Sequence, residues 1–139
     1  MSNPSKIVLI TGATAGIGRM TALHLARQGH HVIASGRKQA ELEKLAAEAG
    51  HDSAISTAGG KLSTISLDVT SAASIAAAVE AVDTLTAGHG LDVLVNNAGF
   101  GVLGPTAEIT DAELRRQYDT NVFGLMAVTR AFLDRKSVV

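Results

Sequence analysis

Thr11, Gly12, Gly16 and Gly18 stand at a spacing that suits one defined chemistry, the binding of a pyrophosphate. The segment Thr11-Gly12-Ala13-Thr14-Ala15-Gly16-Ile17-Gly18 follows the apolar run Ile7-Val8-Leu9-Ile10 and opens a helical pattern. Gly12 lacks a Cβ, so the chain can turn sharply there. Gly16 lets a phosphate approach the backbone, and Gly18 lets the helix pack closely on the sheet. The free N–H groups of the first helical turn then face the phosphate oxygens, and the helix dipole adds roughly 0.3–1 kcal/mol. A glycine turn with no ligand would carry the same letters. The strand before it and the helix after it favour the phosphate-binding reading.

Other polar residues sit where they could serve such a ligand. Asp68-Val69 comes directly after a strand candidate, Ser63 to Leu67, Asn96-Asn97-Ala98-Gly99 directly after an apolar run, and Asn121 lies midway along an otherwise apolar helical stretch. Asparagines after a strand also simply make turns, and an asparagine within a helix can bend or cap it. The chain has no cysteine, which excludes disulfides and thiolate chemistry. His24, His30, His31, His51 and His89 show no paired spacing with carboxylates, so no metal site is expected.

Elements that would position these residues alternate along the chain. Ile7–Ile10 is a short run apolar on both faces, as in a strand buried between helical layers. A helix from Gly16 carries Ile17, Met20, Leu23 and Ala26 as inward candidates and stops at Gly29. His31 to Ser35 is the second strand, and Leu42, Leu45, Ala46 and Ala49 repeat at helical spacing up to Gly50. Residues 51–61 are small and polar and are expected to form a surface loop. Ser63 to Leu67 is the third strand, Thr70 or Ser71 caps the next helix, and Ile75, Val79, Val82 and Leu85 are its buried stripe. Leu91 to Val95 is the fourth strand. From about Asp111 one long helix places Leu114, Tyr118, Val122, Leu125, Thr129 and Phe132 on a shared buried face, with Asp111 and Glu113 complementing its dipole.

Strands and helices in this alternation make right-handed crossovers and a parallel sheet. The predicted fold is therefore α/β, a Rossmann-type doubly wound sheet of strand order 3-2-1-4 formed by residues 1–139 as one domain. Composition agrees with a packed domain: 46% of residues are apolar and only 3% aromatic. A net charge of -1 with scattered Lys and Arg gives no footprint for nucleic acid or an acidic membrane. The four-residue apolar run near the N-terminus is far too short for a signal core or a membrane span, and a cytoplasmic location fits.

The spacing T-G-x-x-x-G-x-G resembles the cofactor signature of the short-chain dehydrogenase/reductase family. Asn96-Asn97-Ala98-Gly99 is similar to that family's N-N-A-G element, Asp68-Val69 to its adenine-contacting pair, and Asn121-Val122 to its helical asparagine. The resemblance implies a dinucleotide held by Gly12, Thr14, Ala15, Gly16, Ile17 and Gly18. It also implies that Asp68 and Val69 flank the adenine and that Asn97, Ala98 and Gly99 lie beside the ribose. Asn121 would then help to place a water in a proton relay. An NAD-binding site usually has a carboxylate near the end of the second strand. Here the stretch is Ala34-Ser35-Gly36-Arg37-Lys38, with no carboxylate before Glu41. Arg37 can pair in two-pronged fashion with a 2′-phosphate, so NADP(H) is the expected cofactor, the alternative being a solvated loop arginine.

The family's hydride transfer also uses a serine and a tyrosine with a lysine four residues after it. The only tyrosine here is Tyr118, and Val122 stands four residues on. A small carbonyl or alcohol substrate is thus expected only where a catalytic half is supplied. The tail from Asp134 to Val139 departs from the family's usual continuation after Ala-Phe-Leu, as a truncated, frameshifted or cut chain would. The expected alternative function is a catalytically inactive module that senses the cofactor or pairs with a complete subunit. The fourth strand, lacking an outer neighbour, is expected to favour self-association.

Overall fold

The structure is a computed structural model that describes residues 3–133. Four parallel strands, β1 (Ile7–Ile10), β2 (His31–Gly36), β3 (Lys61–Ser66) and β4 (Val93–Val95), form a sheet in the order β3-β2-β1-β4. The expected strand order is the observed one. β1 is central, paired with β2 from Ile7↔His31 and with β4 from Val8↔Val93. Period-two alternation divides its side chains between two cores. Val8 and Ile10 pack with Ala22, Leu23, Ala26, Leu45 and Ile55, whereas Leu9 packs with Ile75, Val79, Val82, Val128 and Phe132. A strand buried on both faces must be apolar at every position, which is why Ile7-Val8-Leu9-Ile10 carries no polar letter.

On one face lie α1 (Gly16–Arg27), α2 (Gln39–Gly50) and α3 (Ser53–Ala58). Burial in α1 falls on Gly18, Ala22, Leu23 and Ala26, while Ile17 and Met20 are 78% and 71% exposed. The expectation that Ile17 and Met20 point inward is therefore corrected. The helix meets the sheet along a stripe of small residues at i, i+4 and i+8, and that approach leaves no room for larger side chains. Residues 51–61 are also more ordered than expected. Asp52 caps α3 by accepting from Ala54 N at 3.0 Å, Ile55 is buried beneath it, and Gly59 ends it in the left-handed conformation. β3 accordingly starts two residues before its predicted position.

The other face carries α4 (Ala72–Leu85), capped by Ser71, whose Oγ accepts from Ser74 N. Beside it runs α6 (Leu125–Leu133), joined by a π-helical turn at Asp119–Gly124 to α5 (Asp111–Tyr118), which buries none of its residues. The single long helix expected from the sequence is thus interrupted. The wider turn shifts the helical phase, so the proposed common face breaks up. Val128 and Phe132 are buried, but Leu114, Tyr118 and Val122 are exposed. Gly124 lies in the turn because a Cβ there would come within 2.7 Å of Val69 O. The N-terminus of α5 has a capping box between Thr110 and Glu113, which holds Glu113 below the ordinary carboxylate range through the Thr110 amide and then its hydroxyl. The sequence tail from Asp134 lies outside the described residues.

Candidate dinucleotide-binding site

All four strands end at the same edge of the sheet, and the loops leaving β1, β2, β3 and β4 converge there. The chain from β1 goes to β2 on one side and later returns as β4 on the other. β1 and β4 therefore flank the point where strand order reverses, the usual place for a ligand in an open α/β sheet.

The turn after β1 is built on buried Thr11. Its Oγ1 accepts from two consecutive amides of the β4 loop, Asn97 N at 3.0 Å and Ala98 N at 2.9 Å. The Asn97 side chain returns the contact by donating to Thr11 O and Gly12 O. Gly12 has φ +64°, and a Cβ there would lie 2.8 Å from Ala98 Cα, so both the turn and the close approach require glycine. Buried Ser35 completes the frame: Oγ donates to Ile10 O and its carbonyl accepts from Ala13 N.

Gly16 also has a left-handed φ, +55°, but a Cβ there would meet nothing within 4 Å. That open space lies over the first turn of α1, which has no side-chain cap and no acidic residue. Here Ala15, Gly16 and Ile17 are exposed and offer backbone N–H groups to a phosphate. Gly18 differs. It is buried, and its missing Cβ makes room for Gly12 O and the Asn97 side chain. Its role is packing.

A cavity of about 200 Å³ opens beside this turn. Of the residues singled out in the sequence, Gly12, Thr14, Arg37, Asp68, Val69, Ala98 and Gly99 line it. Gly36, Leu67, Phe100 and Thr120 line it too, and sequence reasoning did not pick them out. Phe100 comes directly after the N-N-A-G element, so an extension of that motif by one residue would have found it. A larger cleft of about 530 Å³ runs along Asp111, Leu114, Arg115, Tyr118, Asp119 and Phe123. It contains none of the converging residues and is an open groove on the outer side of α5, so the smaller cavity is the candidate site.

Charge in the cavity is arranged across it. Arg37 is exposed just beyond β2. Asp68 comes after β3 and accepts at one oxygen from Thr70 N at 2.9 Å and Thr70 Oγ1 at 2.7 Å. The Thr70 hydroxyl and then its amide hold the Asp68 carboxyl below its ordinary range; burial opposes them, and Arg37 adds a lesser lowering effect. Asn121 does not reach the cavity directly. It sits in the π turn, and its amide grips the backbone of Phe100 at both ends, accepting from Phe100 N at 3.0 Å and donating to Phe100 O at 2.7 Å.

These features fit a dinucleotide: an uncapped helix start, an open left-handed glycine, a cavity lined by backbone, and one arginine near the end of β2. Comparison with known proteins agrees with the architecture. The short chain dehydrogenase family profile matches residues 6–137. The 3-ketodihydrosphingosine reductase of Bacteroides thetaiotaomicron is 35% identical over 92% of this chain and 41% of that protein. The NADP-dependent 3-hydroxy acid dehydrogenase YdfG of Shigella flexneri is 38% identical over 91% of this chain and 47% of its own length. Among solved structures, L-sorbose reductase from Gluconobacter frateurii, complexed with NADPH and L-sorbose, superposes with a TM-score of 0.80 at 26% identity, covering 94% of this chain and 47% of that one. The chain spans less than half the length of each of these relatives. Over nearly all of its sequence, then, this chain belongs to the short-chain dehydrogenase family.

Proposed function

We propose that the chain is the NADP(H)-holding part of a short-chain oxidoreductase, and that alone it binds the dinucleotide without turning over a carbonyl or alcohol. The observation that carries this is Arg37, exposed at the end of β2 and lining the same cavity as Gly12, Thr14 and Asp68. A guanidinium there forms a charge-assisted, two-pronged pair with a 2′-phosphate. No carboxylate competes for the ribose hydroxyls between Ser35 and Glu41. One relative named as NADP-dependent and one neighbour complexed with NADPH support the same choice.

In this reading the pyrophosphate rests on the first turn of α1 at Ala15, Gly16 and Ile17. Asp68 and Val69 take the adenine, and Asn97, Ala98 and Gly99 form the ribose side. When bound, the nicotinamide supplies the hydride chemistry. The chain's own residues supply the grip and orientation. Acid–base chemistry would have to come from elsewhere, because Tyr118 is exposed on α5 and the residue four positions later is Val122, not lysine.

Fluorescence titration with NADPH and NADH, paired with a hydride-transfer assay, tests the proposal. Hydrogen bonds to a charged group predict NADPH binding about 10- to 100-fold tighter than NADH. The absent acid–base group, a contribution of about 100- to 10,000-fold, predicts no appreciable turnover. Equal affinity for the two cofactors, or robust carbonyl reduction by a preparation free of host enzymes, would overturn it.

A further inference from the structure

Residues 99–102 leave the N-N-A-G element as a strap along the cavity, with Gly99 and Phe100 forming part of its wall. Three side chains from one stretch of helix hold this strap. Asn121 fixes Phe100 through both backbone atoms. Gln117, one turn earlier, accepts from Val102 N through Oε1 at 2.6 Å. The Arg116 guanidinium lies 5.1 Å from the centre of the Phe100 ring, within cation–π range. Between the two backbone anchors stands Gly101, around which a Cβ would meet nothing within 4 Å. The strap is thus a glycine pivot pinned on both sides.

We propose that Gln117 is a positioning residue of the dinucleotide site: by holding Val102 N–H it keeps the strap in register, so that Phe100 stays as the cavity wall. This rests on the reading of the cavity as the dinucleotide site. Asn121 pins one side of the pivot only. With Gln117 unable to accept, the Gly101–Val102 side is released, and the strap is held only on its Phe100 side, by Asn121 and Arg116. Binding must then restore order in the strap, at a cost in affinity. The contact needs an acceptor at the end of a side chain of this length and nothing else. Glutamate meets that requirement, methionine does not, and lysine replaces the acceptor with donors.

The test compares Gln117→Met, Gln117→Lys and Gln117→Glu with the unmodified chain, by NADPH titration at a temperature where circular dichroism shows each fully folded. Loss of one ordering hydrogen bond predicts roughly three- to tenfold weaker binding for Q117M and Q117K. Q117E should restore affinity to within about twofold of the unmodified chain. Amide hydrogen exchange gives a readout independent of the cofactor: the Val102 amide should lose protection in Q117M and keep it in Q117E. Unchanged affinity in both Q117M and Q117K, equal weakening by Q117E, or unchanged Val102 protection in Q117M would overturn the inference. Failure of the unmodified chain to bind NADPH overturns the cofactor reading instead, and the exchange measurement still decides whether Gln117 holds the strap.

Discussion

Asn97 donates to Thr11 twice: its backbone N–H to the Thr11 hydroxyl at 3.0 Å, and its side-chain amide to Thr11 O at 3.1 Å. The same Asn97 amide also donates to Gly12 O at 3.0 Å, so the loop after β4 is tied to the turn after β1. The turn keeps its shape only while that amide donates. Asn97→Ala leaves two carbonyls without this partner, and Asn97→Asp sets a carboxylate against them. Both should destabilise the fold by about 1–3 kcal/mol, Asp the more. Urea midpoints at neutral pH check this, and equal stability of Asp and Asn at position 97 would contradict it.

Gly16 and Gly18 should separate binding from folding. Gly18→Ala forces a methyl against Gly12 O at 2.5 Å and against the Asn97 side chain, and should cost about 1–3 kcal/mol of stability. Gly16→Ala meets no protein atom, so its stability cost is limited to the left-handed backbone, roughly 1–2 kcal/mol. Its methyl projects into the space assigned to the pyrophosphate, so it should weaken NADPH binding more than it lowers stability. Thermal melts and NADPH titrations of the two variants give the comparison.

Asp68 makes an acid-side prediction. Its carboxyl is held below the ordinary value of 3.8 by the Thr70 hydroxyl, the Thr70 amide and Arg37. A folded pKa below the unfolded one favours the ionised form in the folded state. That contribution is complete above about pH 4 and fades as pH falls through the lowered value. Asp68→Asn keeps an acceptor for Thr70 but cannot ionise. Its stability should therefore fall less steeply than that of the unmodified chain below about pH 4. Parallel slopes in denaturation between about pH 2 and 5 would contradict it.

Sheet order was legible in the sequence because strands and helices alternate along the chain, β1 and β4 are short runs of Val, Ile and Leu, and the glycine turn marks the first crossover. The face of α1 was legible in part: Leu23 and Ala26 are buried as expected, but apolar periodicity also favours Ile17 and Met20, whereas a close helix–sheet approach selects Gly18 and Ala22. α3 was hidden by its shortness and polarity, although Asp52, Ile55 and Gly59 are a cap, an anchor and a stop. The π turn has no letter signature: Asp119 to Gly124 continue the helix without proline, and tertiary contact at Gly124 decides the widening. That Gly12, Arg37 and Asp68 meet at one cavity was legible from motif spacing and from their places at the strand ends. The parts of Phe100 and Gln117, and the grip of the Thr11 hydroxyl on Asn97 and Ala98, were not, because they depend on hydrogen bonds or packing between segments 15 to 87 residues apart.

β4 gives a prediction about association. It pairs with β1, and no described strand pairs with its other side. Val93 is 41% exposed. Asp92, the one charge in the apolar run, accepts from Ile7 N and so serves the β1 side instead of guarding the open edge. Unpaired apolar edges recruit further chains. Sedimentation at low micromolar concentration should show self-association, reduced by Val93→Lys as an edge charge. A cooperatively unfolding monomer at the same concentration would contradict this.

Arg37 tests the central claim most directly. Titrating the unmodified chain and Arg37→Asp with NADPH and NADH gives four dissociation constants under one set of conditions. A guanidinium that pairs with the 2′-phosphate predicts that Arg37→Asp weakens NADPH about 10-fold or more, through loss of the pair and repulsion from the new carboxylate. NADH should be held at least as well as before, because the carboxylate can accept from the ribose hydroxyls. A variant that loses both cofactors equally, or neither, would contradict the assignment of Arg37 as the residue that selects NADP(H).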